Sequence, residues 1–173
     1  MLHAAQTRPA RATDLSAISR LHELVFGPGR FARSAYRVRE GKGQMSRFCR
    51  VALLDGRLVA ALRMTEVSIG AVPGAVLLGP LAVDPEFTGR GFGRRLISEA
   101  LDAVRDAGME IVVLVGDEPY YGRFGFAPAP PGQITFPGPV NPRRVLALEV
   151  QPGALTRYRG VISASNKAEA GSG

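Results

Sequence analysis

The sequence predicts a single α/β domain with a mixed central sheet, antiparallel in its N-terminal half and parallel around a central crossover helix. Three observations support this. Strand-like segments at 47–54 and 57–68 are joined by Asp55-Gly56, a pair typical of a tight hairpin. An amphipathic helix follows a glycine-rich loop. The aliphatic run 111–115 then indicates a buried strand, so strand, helix and strand form a parallel crossover unit.

The N-terminal half is expected to hold helices and antiparallel strands. Thr13 is the expected N-cap of a first helix, whose apolar residues recur at helical spacing until Gly27. Residues 31–39 predict a second, short helix. After the hairpin, a turn at 70–74 leads into a third strand over 75–83.

The C-terminal half is organised around the central helix, expected over 92–107 and ended by Gly108. Residues 119–123 predict one helical turn, because proline is tolerated at a first helical position. A proline-rich loop then precedes a late strand at 144–150. We expect one domain over residues 1–160 and a flexible tail over 161–173.

Composition narrows the class of protein. Apolar residues make up 46% and charged residues 21%, as in soluble globular proteins. No apolar run approaches the roughly 20 residues of a membrane span, and the N-terminus lacks the apolar segment of a signal peptide. A single cysteine, Cys49, excludes an internal disulfide and a cysteine-rich zinc site, and we interpret it as a buried small side chain. We therefore expect a cytoplasmic protein with no membrane contact and no metal.

The net charge of +7 allows three interpretations. All but two of the 22 basic residues are arginines, which indicates a compositional bias on solvated faces. Alternatively, the charge attracts an anionic cofactor to the arginines beside the glycine loop. A nucleic-acid binder is the third interpretation, and we do not favour it. The arginines of such a surface would be Arg30, Arg33, Arg37 and Arg39.

The glycine-rich loop after the third strand is suited to binding phosphate. Glycines let backbone N–H groups approach a ligand, and the start of a helix offers free N–H groups and a positive dipole end. The G-x-G-x-G spacing, well beyond the end of the strand, argues against a dinucleotide fingerprint. The candidate residues are Thr88, Gly89, Arg90, Gly91, Phe92, Gly93 and Arg94.

Gly79-Pro80 interrupts the third strand and predicts a β-bulge, because proline cannot donate a ladder hydrogen bond. The alternative is an irregularity at a sheet edge. A bulged strand would leave backbone groups of Leu81, Ala82 and Val83 free to pair with an extended, amide-bearing ligand. An amide-bearing arm that ends near a pyrophosphate describes coenzyme A.

Two tyrosines, Tyr120 and Tyr121, follow the aliphatic strand and therefore lie at the carboxyl ends of the parallel strands. An unperturbed tyrosine pKa of about 10 keeps the hydroxyl protonated, so either tyrosine could donate a proton to a departing thiolate. The alternative is that both pack as amphipathic core residues. An amine acceptor also needs a base, for which Glu66 is slightly preferred over Asp117 and Glu118. Each of these carboxylates has the alternative interpretation of a solvated charge.

The order of these motifs resembles the GNAT acetyltransferase superfamily. The resemblance rests on Leu81-Ala-Val-Asp-Pro-x-x-x-Gly-Arg-Gly-Phe-Gly and on Tyr120-Tyr-Gly-Arg-Phe-Gly-Phe126, with a helix and an aliphatic strand between them. The chain is most similar to the YhbS-like subgroup, whose C-terminal motifs are matched by Phe136-Pro-Gly-Pro139 and the segment 146–155. The resemblance covers roughly residues 8–160.

The resemblance implies a GNAT-like sheet and transfer of an acetyl group from acetyl-CoA to a primary amine of a small molecule or peptide. Tyr121 matches the general acid, and the pantetheine arm would pair with Leu81 to Val83. Gly91 and Gly93 match the small positions of the pyrophosphate loop. Thr88 replaces the usual Gln or Arg, which removes one side-chain contact to the cofactor. The alternative function is a non-catalytic acyl-CoA-binding or regulatory module. Whether the protein is an enzyme or such a module, it could form a homodimer.

Overall fold

The computed structural model describes residues 5–27, 38 and 45–164. The described residues form nine strands and three α-helices, connected by turns and short 3-10 segments. The strands are β1 (Ala5–Pro9), β2 (Arg50–Leu54), β3 (Arg57–Ile69), β4 (Val72–Val83), β5 (Ile111–Val115), β6 (Ala127–Pro128), β7 (Ile134–Thr135), β8 (Val145–Glu149) and β9 (Gly160–Ala164). The helices are α1 (Leu15–Phe26), α2 (Phe92–Asp106) and α3 (Glu118–Tyr121).

The strands form a mixed sheet in the order β1-β2-β3-β4-β5-β8-β6. β4 and β5 are parallel, with α2 as the crossover between them, and the other neighbours in this order are antiparallel. β9 pairs with the end of β3, and β7 pairs with β9. The predicted α/β class and the mixed sheet are confirmed.

One face of the sheet is covered by α2 and α3. α2 carries an apolar stripe because its apolar residues recur every three or four positions. The stripe packs on the side chains of β3, β4 and β5 that point to this face. The buried residues of the stripe are Phe92, Leu96, Ile97, Ala100, Leu101 and Val104.

The opposite face holds two separate apolar clusters. The first lies under α1 and consists of Ile18, Leu21, Val51, Ala61 and Ala82. The second lies further along β3 and is built around the fully buried Tyr158. Its other members include Val67, Ile69, Leu77, Val113 and Ile162.

A bulge in β4 changes which face its side chains point to. Leu62 of β3 pairs with Leu81, while Met64, two residues on, pairs with Leu78, three residues back. The additional β4 residue lies at Gly79-Pro80, whose peptide bond is cis, where the sequence predicted a bulge. Leu78 and Leu81 therefore point to the same face, the face of α2.

Several elements differ from the prediction. β1 and β9 were not predicted, and β9 carries regular structure to Ala164, beyond the expected domain end at residue 160. Thr13 is not an N-cap, because a 3-10 turn over Ala12–Asp14 precedes α1, and the Asp14 carboxylate accepts the Arg11 N–H instead. Apart from Val38, the predicted helix at 31–39 lies outside the described residues, as do residues 165–173.

Residues 5–27, 38 and 45–164 hold neither a membrane-spanning helix nor a metal-binding cluster. No helix among them is both long and apolar enough to cross a bilayer. The same residues contain no group of three or more His, Cys, Asp or Glu side chains arranged to hold a metal ion.

Candidate active site

β4 and β5 separate on one side of the bulge and leave a gap in the sheet. Their parallel pairing covers three positions and ends at Leu77 and Val113. β4 continues for six residues to Val83, and in the described part of the chain no strand pairs with it there on the β5 side. This gap leaves an unpaired strand edge, which an extended ligand needs in order to add itself to a sheet.

The backbone of β4 faces this gap at alternate residues. The N–H of Asp84 donates to the carbonyl of Val59 on β3 at 2.8 Å. In an antiparallel pair, residues two apart share the same side, so Ala82 also faces β3, whereas Leu81 and Val83 face the gap. Of the three backbone positions predicted to pair with a pantetheine arm, two therefore point the right way and Ala82 does not.

The loop after β4 is held by its own side chains. Asp84 is buried, and its carboxylate accepts the N–H of Glu86 at 3.0 Å and the Arg57 guanidinium at 2.8 Å. The Arg57 and Arg90 guanidinium groups lie over the Phe87 ring, at 5.2 and 5.1 Å from its centroid. These contacts set the direction in which the loop enters α2.

The predicted phosphate-binding residues lie at the N-terminus of α2. Gly91 is the N-cap, with a left-handed φ of 82°, which favours glycine. Among the described residues no side chain caps this end, and the first turn carries no acidic residue. The N–H groups of Gly91, Phe92, Gly93 and Arg94 are the ones that a helix leaves without an intrahelical partner, so they are available to a phosphate.

Thr88 has a local role in this loop. Its hydroxyl donates to the carbonyl of Pro85 at 3.2 Å, which closes the 3-10 turn over Pro85–Phe87. The residue is exposed, and its short side chain replaces the longer one expected at a pyrophosphate. The backbone N–H groups and the exposed side chains of Arg90 and Arg94 are the other groups of this loop that are able to bind an anion.

The two tyrosines lie side by side on α3 with their rings nearly perpendicular, 4.9 Å between centroids. The Tyr121 ring covers Gly116 at the end of β5: a Cβ added to Gly116 would lie 2.6 Å from Cε2 of Tyr121. The Tyr120 hydroxyl reaches α2, where a Cβ added to Gly93 would lie 3.2 Å from it. Both tyrosines are half-buried beside the open end of the gap.

Glu66, the carboxylate that the sequence favoured as a general base, lies away from the open end of the gap beside the tyrosines. It pairs with Val76 on β4, before the strands separate, and its carboxylate contacts the Arg47 guanidinium at 3.3 Å. Glu66 lies four positions along β3 from Leu62, the partner of Leu81, a distance of about 13 Å along a strand. The register thus places Glu66 away from the part of β4 that faces the gap, and its role as a base stays a prediction.

The other two carboxylates considered as bases are close to the tyrosines. Asp117 precedes α3, and its backbone carbonyl accepts the N–H groups of Tyr120 and Tyr121. Its exposed carboxylate lies 3.3 Å from the Arg144 guanidinium. Glu118 is exposed at the first position of α3.

Arg63 and Thr65, which were not among the predicted site residues, lie on β3 beside the bulge. The Arg63 Nε and the Thr65 hydroxyl are both inaccessible to solvent and have no hydrogen-bond partner among the described residues. The signal was present in the sequence, because two polar residues interrupt an apolar strand. Only the pairing of β3 with β4 shows that Arg63 and Thr65 lie near the gap, and the sequence does not reveal that pairing.

The comparisons with known proteins agree with this geometry. Residues 6–129 match the family model described as an acetyltransferase (GNAT) domain. The chain is 29% identical over 130 residues to the uncharacterized N-acetyltransferase YjhQ of Escherichia coli K12, which covers 73% of this chain and 71% of YjhQ. It is 45% identical over 73 residues to the uncharacterized N-acetyltransferase YhbS of the same strain, 42% of this chain and 44% of YhbS.

Two crystal structures are similar over nearly the whole chain. The GNAT family N-acetyltransferase YhbS from Escherichia coli, in complex with CoA, has a TM-score of 0.79 and 25% identity over 98% of this chain and 94% of its own. A GNAT family acetyltransferase from Brucella melitensis, in complex with acetyl-CoA, has a TM-score of 0.73 and 26% identity over 95% and 98%. With the bulge, the gap between the parallel strands and the uncapped glycine loop in the predicted order, the chain belongs to the GNAT acetyltransferase family.

Proposed function

We propose that this protein transfers an acetyl group from acetyl-CoA to the primary amine of a small molecule or peptide of the cytoplasm, by direct attack in a ternary complex. The observation that carries the proposal is the gap between β4 and β5, which ends beside the uncapped N-terminus of α2. The two similar structures hold CoA and acetyl-CoA, and this chain has the backbone features that such a ligand requires.

The cofactor is expected to bind mainly through backbone groups. The amides of the pantetheine arm pair with the backbone of Leu81 and Val83, as an added strand would. The pyrophosphate binds at the N–H groups of Gly91 to Arg94, where the helix dipole favours negative charge. A backbone N–H beside the bulge polarises the thioester carbonyl, because the negative charge on that oxygen grows in the transition state.

The transfer step needs one attack and two proton movements. The neutral amine attacks the carbonyl carbon of the thioester, a C–N bond forms, and the C–S bond breaks as the tetrahedral intermediate collapses. Tyr121 donates its hydroxyl proton to the departing thiolate. The amine loses its proton to water, and we assign no carboxylate to that step.

A comparison of the two neighbouring tyrosines tests the proposal. Tyr121→Phe and Tyr120→Phe each remove one hydroxyl and keep the ring. Thiol release is followed with a panel of amines, and acetyl-CoA affinity is measured by calorimetry. We expect Tyr121→Phe to lower kcat by about 10²- to 10⁴-fold while acetyl-CoA affinity changes little.

Three outcomes would contradict the proposal in different ways. No acetyl-CoA binding at millimolar concentration would remove its basis. Binding without turnover of any amine would favour the alternative, a non-catalytic acyl-CoA-binding or regulatory module. Loss of kcat in Tyr120→Phe alone would move the acid role to Tyr120.

A further inference from the structure

A polar break lies between the two apolar clusters on the α1 face of the sheet. The β3 side chains that point to this face are, in order, Ala61, Arg63, Thr65 and Val67. Ala61 packs under α1, and Val67 belongs to the cluster around Tyr158. Arg63 and Thr65 lie between the two clusters and form a polar floor there.

This polar floor lies beside the point where β4 and β5 separate. Thr65 pairs with Leu77, the last β4 residue that is paired with β5. Arg63 lies between the pairs Leu62–Leu81 and Met64–Leu78, so it faces the bulge. Neighbouring strands are about 4.8 Å apart, which puts Arg63 one strand away from the backbone that would hold the thioester.

In the described part of the chain, one buried polar atom of each side chain of this floor has no hydrogen-bond partner. Arg63 Nε and Thr65 Oγ1 are inaccessible to solvent and make no hydrogen bond within the described residues, and no acidic side chain there pairs with Arg63. A partly buried guanidinium without a counter-charge costs free energy. An anionic ligand would remove that cost, because the planar donors of arginine match a carboxylate.

The two faces of the gap differ in what they offer an acceptor. The α2 face is filled by the large apolar cluster and by the two tyrosines, one of which is the proposed acid. The α1 face offers Arg63 and Thr65. An amine that attacks from the α1 face would therefore meet a cation and a hydroxyl beside the reacting carbonyl, which disfavours polyamines and favours an acceptor with negative charge.

We propose that the acceptor is a primary amine that carries a carboxylate a few bonds from its nitrogen, and that Arg63 and Thr65 bind this carboxylate. This inference rests on the proposed function and adds the substrate class of the same site. Arg63 is the specificity-determining residue, and Thr65 contributes a second hydrogen bond.

The test uses matched pairs of amines that differ in the carboxylate alone: glycine and glycinamide, and β-alanine and β-alaninamide. Each is assayed for acetyl-CoA-dependent thiol release and titrated by calorimetry into protein saturated with CoA. We expect the carboxylate member of at least one pair to have a kcat/KM and an affinity at least tenfold higher than its amide.

The variants assign this preference to particular side chains. Arg63→Gln should lower kcat/KM for the carboxylate member by about 10- to 100-fold and leave the amide member unchanged, so that the preference disappears. Thr65→Val keeps the shape of the side chain and should lower kcat/KM for the carboxylate member by about three- to tenfold. Arg105→Gln, on the outer face of α2, is the matched control and should behave as wild type.

Equal response to both members of every pair, no response to any, or a preference that survives Arg63→Gln would overturn the inference. Acetylation of amides or polyamines without dependence on Arg63 would leave the proposed function standing and this inference wrong. If wild type binds the carboxylate amines, Arg63→Gln does not, and wild type transfers no acetyl group, then the proposed function is wrong while the carboxylate site at Arg63 stands. Acetyl-CoA affinity reports whether the cofactor site is folded, so a misfolded Arg63 variant is recognised by its loss of that affinity. In that case the carboxylate preference of Thr65→Val tests the inference.

Discussion

The Tyr120 hydroxyl faces Gly93 in the first turn of α2, so closely that a Cβ on Gly93 would lie 3.2 Å from its oxygen. The same Cβ would lie 3.3 Å from Cδ2 of Leu81. Gly93 therefore lets three elements meet at one point: the bulged strand, the N-terminus of α2 and the tyrosine pair. Its φ is not in the left-handed region, so the reason for glycine here is space.

This relationship predicts that Gly93→Ala weakens acetyl-CoA binding without unfolding the helix. The added methyl must displace Tyr120 or Leu81, and such overpacking costs about 1–3 kcal/mol. Alanine also raises helix propensity by up to about 1 kcal/mol, so the thermal midpoint should change little. We expect calorimetry to show a fall in affinity of about tenfold. The control is Ser98→Ala on the exposed face of α2, and equal affinity in both variants would refute the crowding argument.

The packing of Tyr121 on Gly116 predicts a second effect, on catalysis. In Gly116→Ala the new methyl would lie 2.6 Å from the Tyr121 ring, so the ring must move and carry its hydroxyl away from the thiolate. We expect kcat to fall at least tenfold, with a much smaller change in KM for acetyl-CoA. The double variant Gly116→Ala, Tyr121→Phe should be no slower than Tyr121→Phe alone, because both changes act through one hydroxyl. Independent, multiplying effects would show that Gly116 acts by another route.

The Arg8–Asp14 pair predicts how stability depends on pH. Two hydrogen bonds from the Arg8 guanidinium, at 2.7 and 2.9 Å, lower the pKa of the buried Asp14 carboxyl, against the opposing effect of burial. Because the folded-state pKa is lower than the unfolded-state one, the pair stabilises the fold above the unfolded pKa. That stabilisation is lost as pH falls through the folded pKa.

Asp14→Asn should therefore lower the free energy of unfolding by about 1–3 kcal/mol at pH 7, measured by urea denaturation. The variant should also lose less stability than wild type between pH 5 and about pH 2. Asp102→Asn, in an exposed pair with Arg105, is the control and should change stability by less than about 1 kcal/mol. A parallel loss of stability with pH in wild type and Asp14→Asn would contradict the assignment.

Tyr158 predicts a change in stability that leaves the site intact. Its buried hydroxyl shares its one proton between two acceptors, the carbonyl of Pro73 at 2.7 Å and the Glu110 carboxylate, and so connects the start of β4 with the start of β5. Burial, and then the bond to Glu110, raise the pKa of Tyr158, so the hydroxyl stays protonated. Tyr158→Phe should cost about 1–3 kcal/mol in urea denaturation, with acetyl-CoA affinity unchanged, because the bonded end of these strands is remote from the gap. Unchanged stability would show that the hydroxyl contributes nothing net.

Much of the fold was predictable because its signals are local. The Asp55-Gly56 turn, the stripe of α2 and the aliphatic run of β5 each depend on residues that are neighbours in sequence. β1 and β9 were missed for the opposite reason. β1 is short and has exposed and half-buried residues, and β9 becomes regular by pairing with the distant end of β3.

The candidate site divides in the same way. The glycine loop and the bulge were predicted at the right residues, since glycine and proline restrict the backbone where they stand. Glu66 was preferred as base because it ends a run of strand-like residues, but the register places it opposite Val76. A carboxylate's distance from a reacting atom depends on strand pairing, which a single strand does not reveal.

The order of motifs along the chain was enough to predict the mixed sheet, the crossover, the glycine-rich start of the central helix and the family resemblance. Each of these follows from backbone preferences and hydrophobic periodicity over a few residues. The folded chain was needed to learn that Leu81 and Val83 face the gap while Ala82 does not, and that Arg63 and Thr65 form a polar floor beside it. Those facts come from register and packing between segments far apart in sequence, where a shift of one residue turns every side chain to the other face.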